Sequence, residues 1–145
     1  AKLLEQGINM GLGTDSAACG NTLNLFSQLN LAVMLSAEAD MQKPLSCAAA
    51  LRMATLGGAE TLGLDSEIGS LSVGKQADII AIDTQTPSLQ PLQSISRQLV
   101  NAGADAPVSH VWIAGQRKVS DGQLVDIDLN AVLAKSDWWK KQLAS

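Results

Sequence analysis

The sequence has no tyrosine and one phenylalanine in 145 residues. With Phe26, its aromatic side chains are Trp112, Trp138 and Trp139, too few and too scattered to form a stacking platform for nucleic-acid bases. A basic run is also missing. Ten Lys and Arg stand against fourteen Asp and Glu, a formal net charge of −4, so nothing forms a basic stripe for phosphates. No stretch reaches the ~18 consecutive apolar residues of a membrane span. The opening Ala1-Lys2-Leu3-Leu4-Glu5 does not have the shape of a signal peptide. It also lacks an initiator Met, so the chain is expected to begin within a longer protein. No nucleic-acid and no membrane partner is expected.

Metal-ligand residues are scarce as well. His110 is the single histidine, and the two cysteines, Cys19 and Cys47, stand in no motif spacing. Zinc needs three or four N, O or S ligands, and catalytic sites commonly use several histidines. His110, inside a predicted strand beside Val111 and Trp112, is therefore read as structural. The thiols are read as reduced, small, buried apolar side chains, and a cytoplasmic location is expected.

What is present argues for a folded chain. Apolar residues make up 46% and charged residues 17%, and the length fits one domain. Residues 1–6 read as a helix end stopped by Gly7. Residues 8–13 (INMGLG) alternate like a short strand, and 13–22 are small and polar, a loop. Apolar steps of three and four from Leu23 predict a helix to about Ala37. Beyond the break at Pro44, Ser46 is placed to cap a second helix from Cys47 to about Leu62, with Gly63 as its stop. Strands are expected at 68–71, 77–83, 108–114 and 116–119, a short helix at 94–102, and a turn at Asp121-Gly122. A last helix, capped by Asp128, is expected to run to Leu143, with Val132, Leu133 and Trp139 on one face.

Two short patterns invite a chemical reading. Gly69 to Lys75 has the G-x-x-x-x-G-K spacing of a phosphate loop. It is followed by Gln76 where Ser or Thr would hold Mg²⁺, and by a strand where a helix is required; a β-turn fits better. Asp15 follows the 8–13 strand, the position where α/β barrels place their chemistry. There it could ligate a metal or act as a base on a metal-bound water; on local evidence alone, an Asp after a strand is more often a turn or capping residue.

Taken together, the segments resemble the amidohydrolase superfamily. Residues 7–21 (GINMGLGTDSAACGN) look like the last barrel strand of that family. Residues 50–59 (ALRMATLGGA) are similar to its following helix, 68–79 (IGSLSVGKQADI) to its return into a β-sandwich, and 111–115 (VWIAG) to its final strand. The Gly13-to-Asn21 form is most similar to the branch of methylthioadenosine/S-adenosylhomocysteine deaminases and atrazine-type chlorohydrolases. The resemblance implies an α/β fold: the C-terminal part of a metal-dependent (β/α)₈ barrel, its last strand and helices, plus part of an appended β-sandwich. The expected divisions are 1–65 for the barrel portion, 66–127 for the sandwich portion and 128–145 for the C-terminal helix.

The resemblance further implies hydrolysis of a purine- or triazine-like ring, a small-molecule substrate, with loss of ammonia or chloride and one Zn²⁺ or Fe²⁺. Asp15 matches the carboxylate that contacts the metal and moves protons, while Thr14 and Asn21 lie in the adjacent loop. The family's His-x-His pair, its other histidines and its acidic general acid–base residue have no match in these 145 residues. The isolated chain is therefore expected to hold no metal and to lack activity. Its uncovered faces are expected to associate, as a twofold homodimer or with a missing N-terminal barrel segment. The other functional readings are a non-catalytic self-associating or ligand-binding module, and one half of a split enzyme.

Overall fold

The computed structural model describes residues 1–20 and 22–143. Six α-helices and four strands are assigned among them: α1 Lys2–Glu5, α2 Leu25–Ala39, α3 Cys47–Met53, α4 Leu56–Leu62, β1 Ile79–Ile82, α5 Ile95–Ala102, β2 Val108–Ile113, β3 Gln116–Ser120, β4 Gln123–Leu124 and α6 Leu129–Leu143. Helices α2, α3 and α5 pack on one another. Their shared core is Leu29, Leu45, Ala50, Met53 and Val100, all buried.

Local chemistry sets the helix ends. Asn24 caps α2 by accepting the Phe26 amide at 3.0 Å, and Ser46 caps α3 by accepting the Ala49 amide at 3.1 Å. The Leu45 amide donates to the Ser36 hydroxyl at 2.8 Å, which folds the Pro44 connection back and seats Leu45 in the core. Gly7 follows α1 with φ +75°, and Gly63 ends α4 with φ +71°.

The single helix expected from Cys47 to Leu62 is two. The Thr55 hydroxyl donates to the Leu51 carbonyl at 2.8 Å, a bond that competes with the helical ladder, and Thr55 leaves helical geometry at φ −126°, ψ −103°. The strand expected at 68–71 is a set of turns. The Glu67 and Ile68 amides both donate to the Leu64 carbonyl, and Gly69 adopts φ +87°. That conformation suits glycine and turns the chain against Ala59.

The strands form one antiparallel sheet in the order β1-β2-β3-β4. Two-residue turns join the last three, with Ala114 (φ +48°) and Gly115 (φ +77°) in one, and Asp121 (φ +49°) and Gly122 (φ +74°) in the other. Positive φ at both central positions matches the right-handed twist of a hairpin. Asp78 anchors the first turn, its Oδ1 accepting the Ala114 amide at 2.7 Å. The Gly69–Lys75 segment is a turn and not a phosphate loop: Lys75 turns inward, and its Nζ donates to the backbone carbonyls of Asp65 and Ile68.

Helix α6 forms where expected, with Asp128 Oδ1 accepting the amides of Asn130 and Ala131. Its apolar residues are not core, however. None of its side chains is buried, and Val132, Leu133 and Trp139 are each about half exposed. No helix of the described residues is long and apolar enough to cross a membrane.

Candidate active-site carboxylate

Residues 8–13 carry no ladder. A strand is defined by its partner, and none lies beside this segment among the described residues. The segment is instead fixed against the helices. The Leu12 amide donates to the Met53 carbonyl at 3.0 Å. Gly11 lies so close to α4 that a Cβ there would fall 3.1 Å from the Gly58 Cα.

Asp15 emerges from this anchored segment with φ +60°, an uncommon backbone setting for a residue with a side chain. Its Oδ1 accepts the Ser16 amide at 2.7 Å, and the Thr14 hydroxyl donates to the Asp15 carbonyl at 3.2 Å. A tight turn follows, with the amides of Cys19 and Gly20 donating to the Ser16 carbonyl. The carboxylate is exposed, and no ion pair engages it among the described residues. Oδ1 accepts one backbone amide, and both carboxylate oxygens keep lone pairs for a ligand or a proton. Thr14 thus shapes the loop through the backbone. Asn21 lies outside the described residues.

His110 stands apart on β2, in structural contacts only. Its ring stacks on Trp112 at 5.5 Å between centroids, its Nδ1 lies 3.1 Å from the Ser109 hydroxyl, and its Nε2 lies 3.7 Å from Asp121. Cys19 is exposed and Cys47 half-buried, both free. The expectation of two buried thiols fails at Cys19, which sits in a surface loop of small residues with no apolar layer above it. Among the described residues no three His, Cys, Asp or Glu side chains come together to hold a metal ion. This donor set does not fit a zinc or iron centre, since one carboxylate falls short of the three protein ligands such a catalytic site requires.

The comparison with known proteins shows the family. A model of the amidohydrolase family matches residues 1–118. The chain belongs to the amidohydrolase family. A 5-methylthioadenosine/S-adenosylhomocysteine deaminase of Teredinibacter turnerae is 37% identical to it over 100% of this chain and 33% of its own length. One of Desulfovibrio desulfuricans is 39% identical over 90% of this chain and 30% of its own. Among solved structures, an adenosine deaminase of Xanthomonas campestris with bound zinc superposes with a TM-score of 0.91 and 36% identity, over 98% of this chain and 33% of that one. Atrazine chlorohydrolase of Arthrobacter aurescens TC1 complexed with zinc gives 0.85 and 33%, over 92% and 30%. This amidohydrolase chain therefore spans about a third of the length of its relatives and corresponds to their C-terminal part.

Proposed function

We propose that this chain is the C-terminal part of a metal-dependent hydrolytic deaminase or dechlorinase acting on purine- or triazine-like rings. In this reading Asp15 is the one catalytic carboxylate the chain brings, and the chain is inactive alone. The observation that supports it is a combination: similarity along the whole chain to deaminases three times as long, and a site reduced to one carboxylate. The relatives' names point to 5-methylthioadenosine or S-adenosylhomocysteine as the first substrates to try.

The chain's own contribution is positional. The Leu12–Met53 bond and the close approach to α4 hold the segment, and the Ser16 amide holds one carboxylate oxygen. The carboxylate is then directed by the backbone and costs little ordering when it takes up or releases a proton. The metal ligands must come from the upstream two-thirds of the polypeptide.

The test is co-expression with the upstream two-thirds of the Teredinibacter turnerae deaminase, followed by ammonia release from 5-methylthioadenosine. The chain alone gives no turnover and the complex does. Asp15→Asn in the complex lowers the rate by roughly 100-fold or more, the range for loss of a positioned proton-transfer group. An active complex indifferent to Asp15→Asn overturns the assignment.

A second reading, a self-associating module without catalysis, is favoured by one observation. Large apolar side chains stand exposed along α2, β1 and α6, among them Met34, Leu35, Ile80, Val132 and Trp138. A stable twofold dimer that neither binds the upstream part nor turns over substrate supports that reading instead.

A further inference from the structure

The break between α3 and α4 meets the segment that carries Asp15. In an unbroken helix each carbonyl accepts the amide four residues on, so the Met53 carbonyl would take the amide of Gly57. Here it accepts the Leu12 amide, at 3.0 Å. Thr55 stands at the turning point. Its hydroxyl donates at 2.8 Å to the Leu51 carbonyl, the acceptor its own amide would use in a helix. Its amide donates to the Arg52 carbonyl at 3.1 Å instead. The helix ends there, and its last carbonyls are left for other parts of the chain.

Further contacts depend on the same break. Gly57 and Gly58 stand in the first turn of α4, where a Cβ on Gly57 would lie 2.8 Å from the Met10 carbonyl oxygen. A Cβ on Gly69 would lie 3.2 Å from the Thr55 carbonyl oxygen, so the turn at Gly69 closes on the same point. Arg52 of α3 and Glu60 of α4 pair across the break at 2.5 Å. Eight residues of straight helix would separate them by about 12 Å along the axis, and side chains on one helix meet at three or four residues' spacing. The pair therefore belongs to the bent form. Thr55 itself is exposed, so its hydroxyl serves the break and not the core.

We propose that Thr55 is a positioning residue for Asp15. Its hydroxyl holds the break, the break leaves the Met53 carbonyl to Leu12, and the glycines of α4 let Met10 and Gly11 seat beside it. Gly13 and Thr14 are all that separate Leu12 from Asp15, so this anchor sets where the carboxylate stands. Misplacing a reacting group by about 1 Å can cost roughly 100-fold in rate. The inference rests on the proposed function in one respect, that Asp15 is the catalytic carboxylate.

The experiment compares two variants of the whole chain by NMR. Thr55→Val keeps the branched shape and removes the hydroxyl, whereas Thr55→Ser keeps the hydroxyl. The valine variant is expected to exchange its Leu12 amide about tenfold faster or more. Its Asp15 amide order parameter is expected to fall from about 0.85 to below about 0.6. The serine variant is expected to match the unsubstituted chain in both, and exchange at Val100 in α5 to stay unchanged throughout. Unchanged values at Leu12 or at Asp15 in the valine variant overturn the proposal, as does a serine variant that behaves like valine. Lost protection at Val100 also overturns it, since Thr55 would then serve overall stability.

The co-expressed complex adds a kinetic reading. Thr55→Val is expected to lower kcat about 10- to 100-fold with KM unchanged, and to add nothing to Asp15→Asn, because it acts through that residue. Effects that add overturn the positional role and leave the deaminase reading standing. An unsubstituted complex without turnover, beside the expected NMR changes, sinks the deaminase reading and leaves the positional role standing.

Discussion

Met10 and Gly57 meet through backbone alone: a Cβ built on Gly57 would lie 2.8 Å from the Met10 carbonyl oxygen and 3.0 Å from that of Arg52. This contact brings the segment leading to Asp15 onto α4. Its consequence can be read from the sign of one substitution. Gly→Ala inside a helix stabilises by about 1 kcal/mol on propensity alone. Here the added methyl meets two backbone oxygens that cannot rotate away, and overpacking of that kind costs about 1–3 kcal/mol. Gly57→Ala is therefore expected to destabilise in urea denaturation, against the propensity. Gly13→Ala, where a Cβ meets nothing within 4 Å, is expected to change stability by less than about 0.5 kcal/mol.

The helical layer rests on few buried side chains. Leu29 is 2% exposed and sits with Leu45, Ala50, Met53 and Val100. Leu29→Ala leaves a cavity that neighbours on three helices cannot close, with an expected loss of about 2–5 kcal/mol. Set beside a typical domain stability of about 5–15 kcal/mol, that is enough to lower the midpoint of far-UV circular dichroism melting sharply.

The motif carrying Lys75 and Asp78 serves the fold. Lys75 closes the turn at 65–68, and Asp78 pins the β2–β3 turn through the Ala114 amide. Asp78→Ala is expected to cost about 1 kcal/mol, within the range for one hydrogen bond. It should show as faster hydrogen exchange at Ala114 and Gly115, with the helical layer unaffected.

Helix α6 buries no side chain. Ending the chain at Ile127 is therefore expected to move the unfolding free energy of the remainder by less than about 0.5 kcal/mol, as for other surface changes. A larger loss would mean that α6 is docked on the isolated chain.

The parts of the fold legible in the sequence are those whose signals are local. Ser46, Asp128, Gly63 and the Asp121-Gly122 turn could be read because a cap or a positive φ depends on a few neighbouring residues. The Thr55 break could not, since it depends on a side-chain bond to Leu51 and on Met10 pressing against Gly57 from elsewhere in the chain. Residues 8–13 alternate like a strand and yet carry no ladder, because alternation reports which faces are apolar and says nothing of who pairs. The stripe of α6 misled for the same reason: an apolar face marks a need for cover, and the cover is not within the described residues. At the candidate site, Asp15 was singled out by its place after the 8–13 segment, while its φ of +60° and its bond to the Ser16 amide emerged only in three dimensions.

The most direct test of the account is the zinc and iron content of the purified chain, by elemental mass spectrometry, measured alone and after co-expression with the upstream two-thirds of the Teredinibacter turnerae deaminase. The account predicts far less than one metal ion per chain alone and close to one in the complex, because in the proposed reading this chain brings Asp15 alone and the other ligands come from the upstream part. Near-stoichiometric zinc or iron on the isolated chain would contradict it.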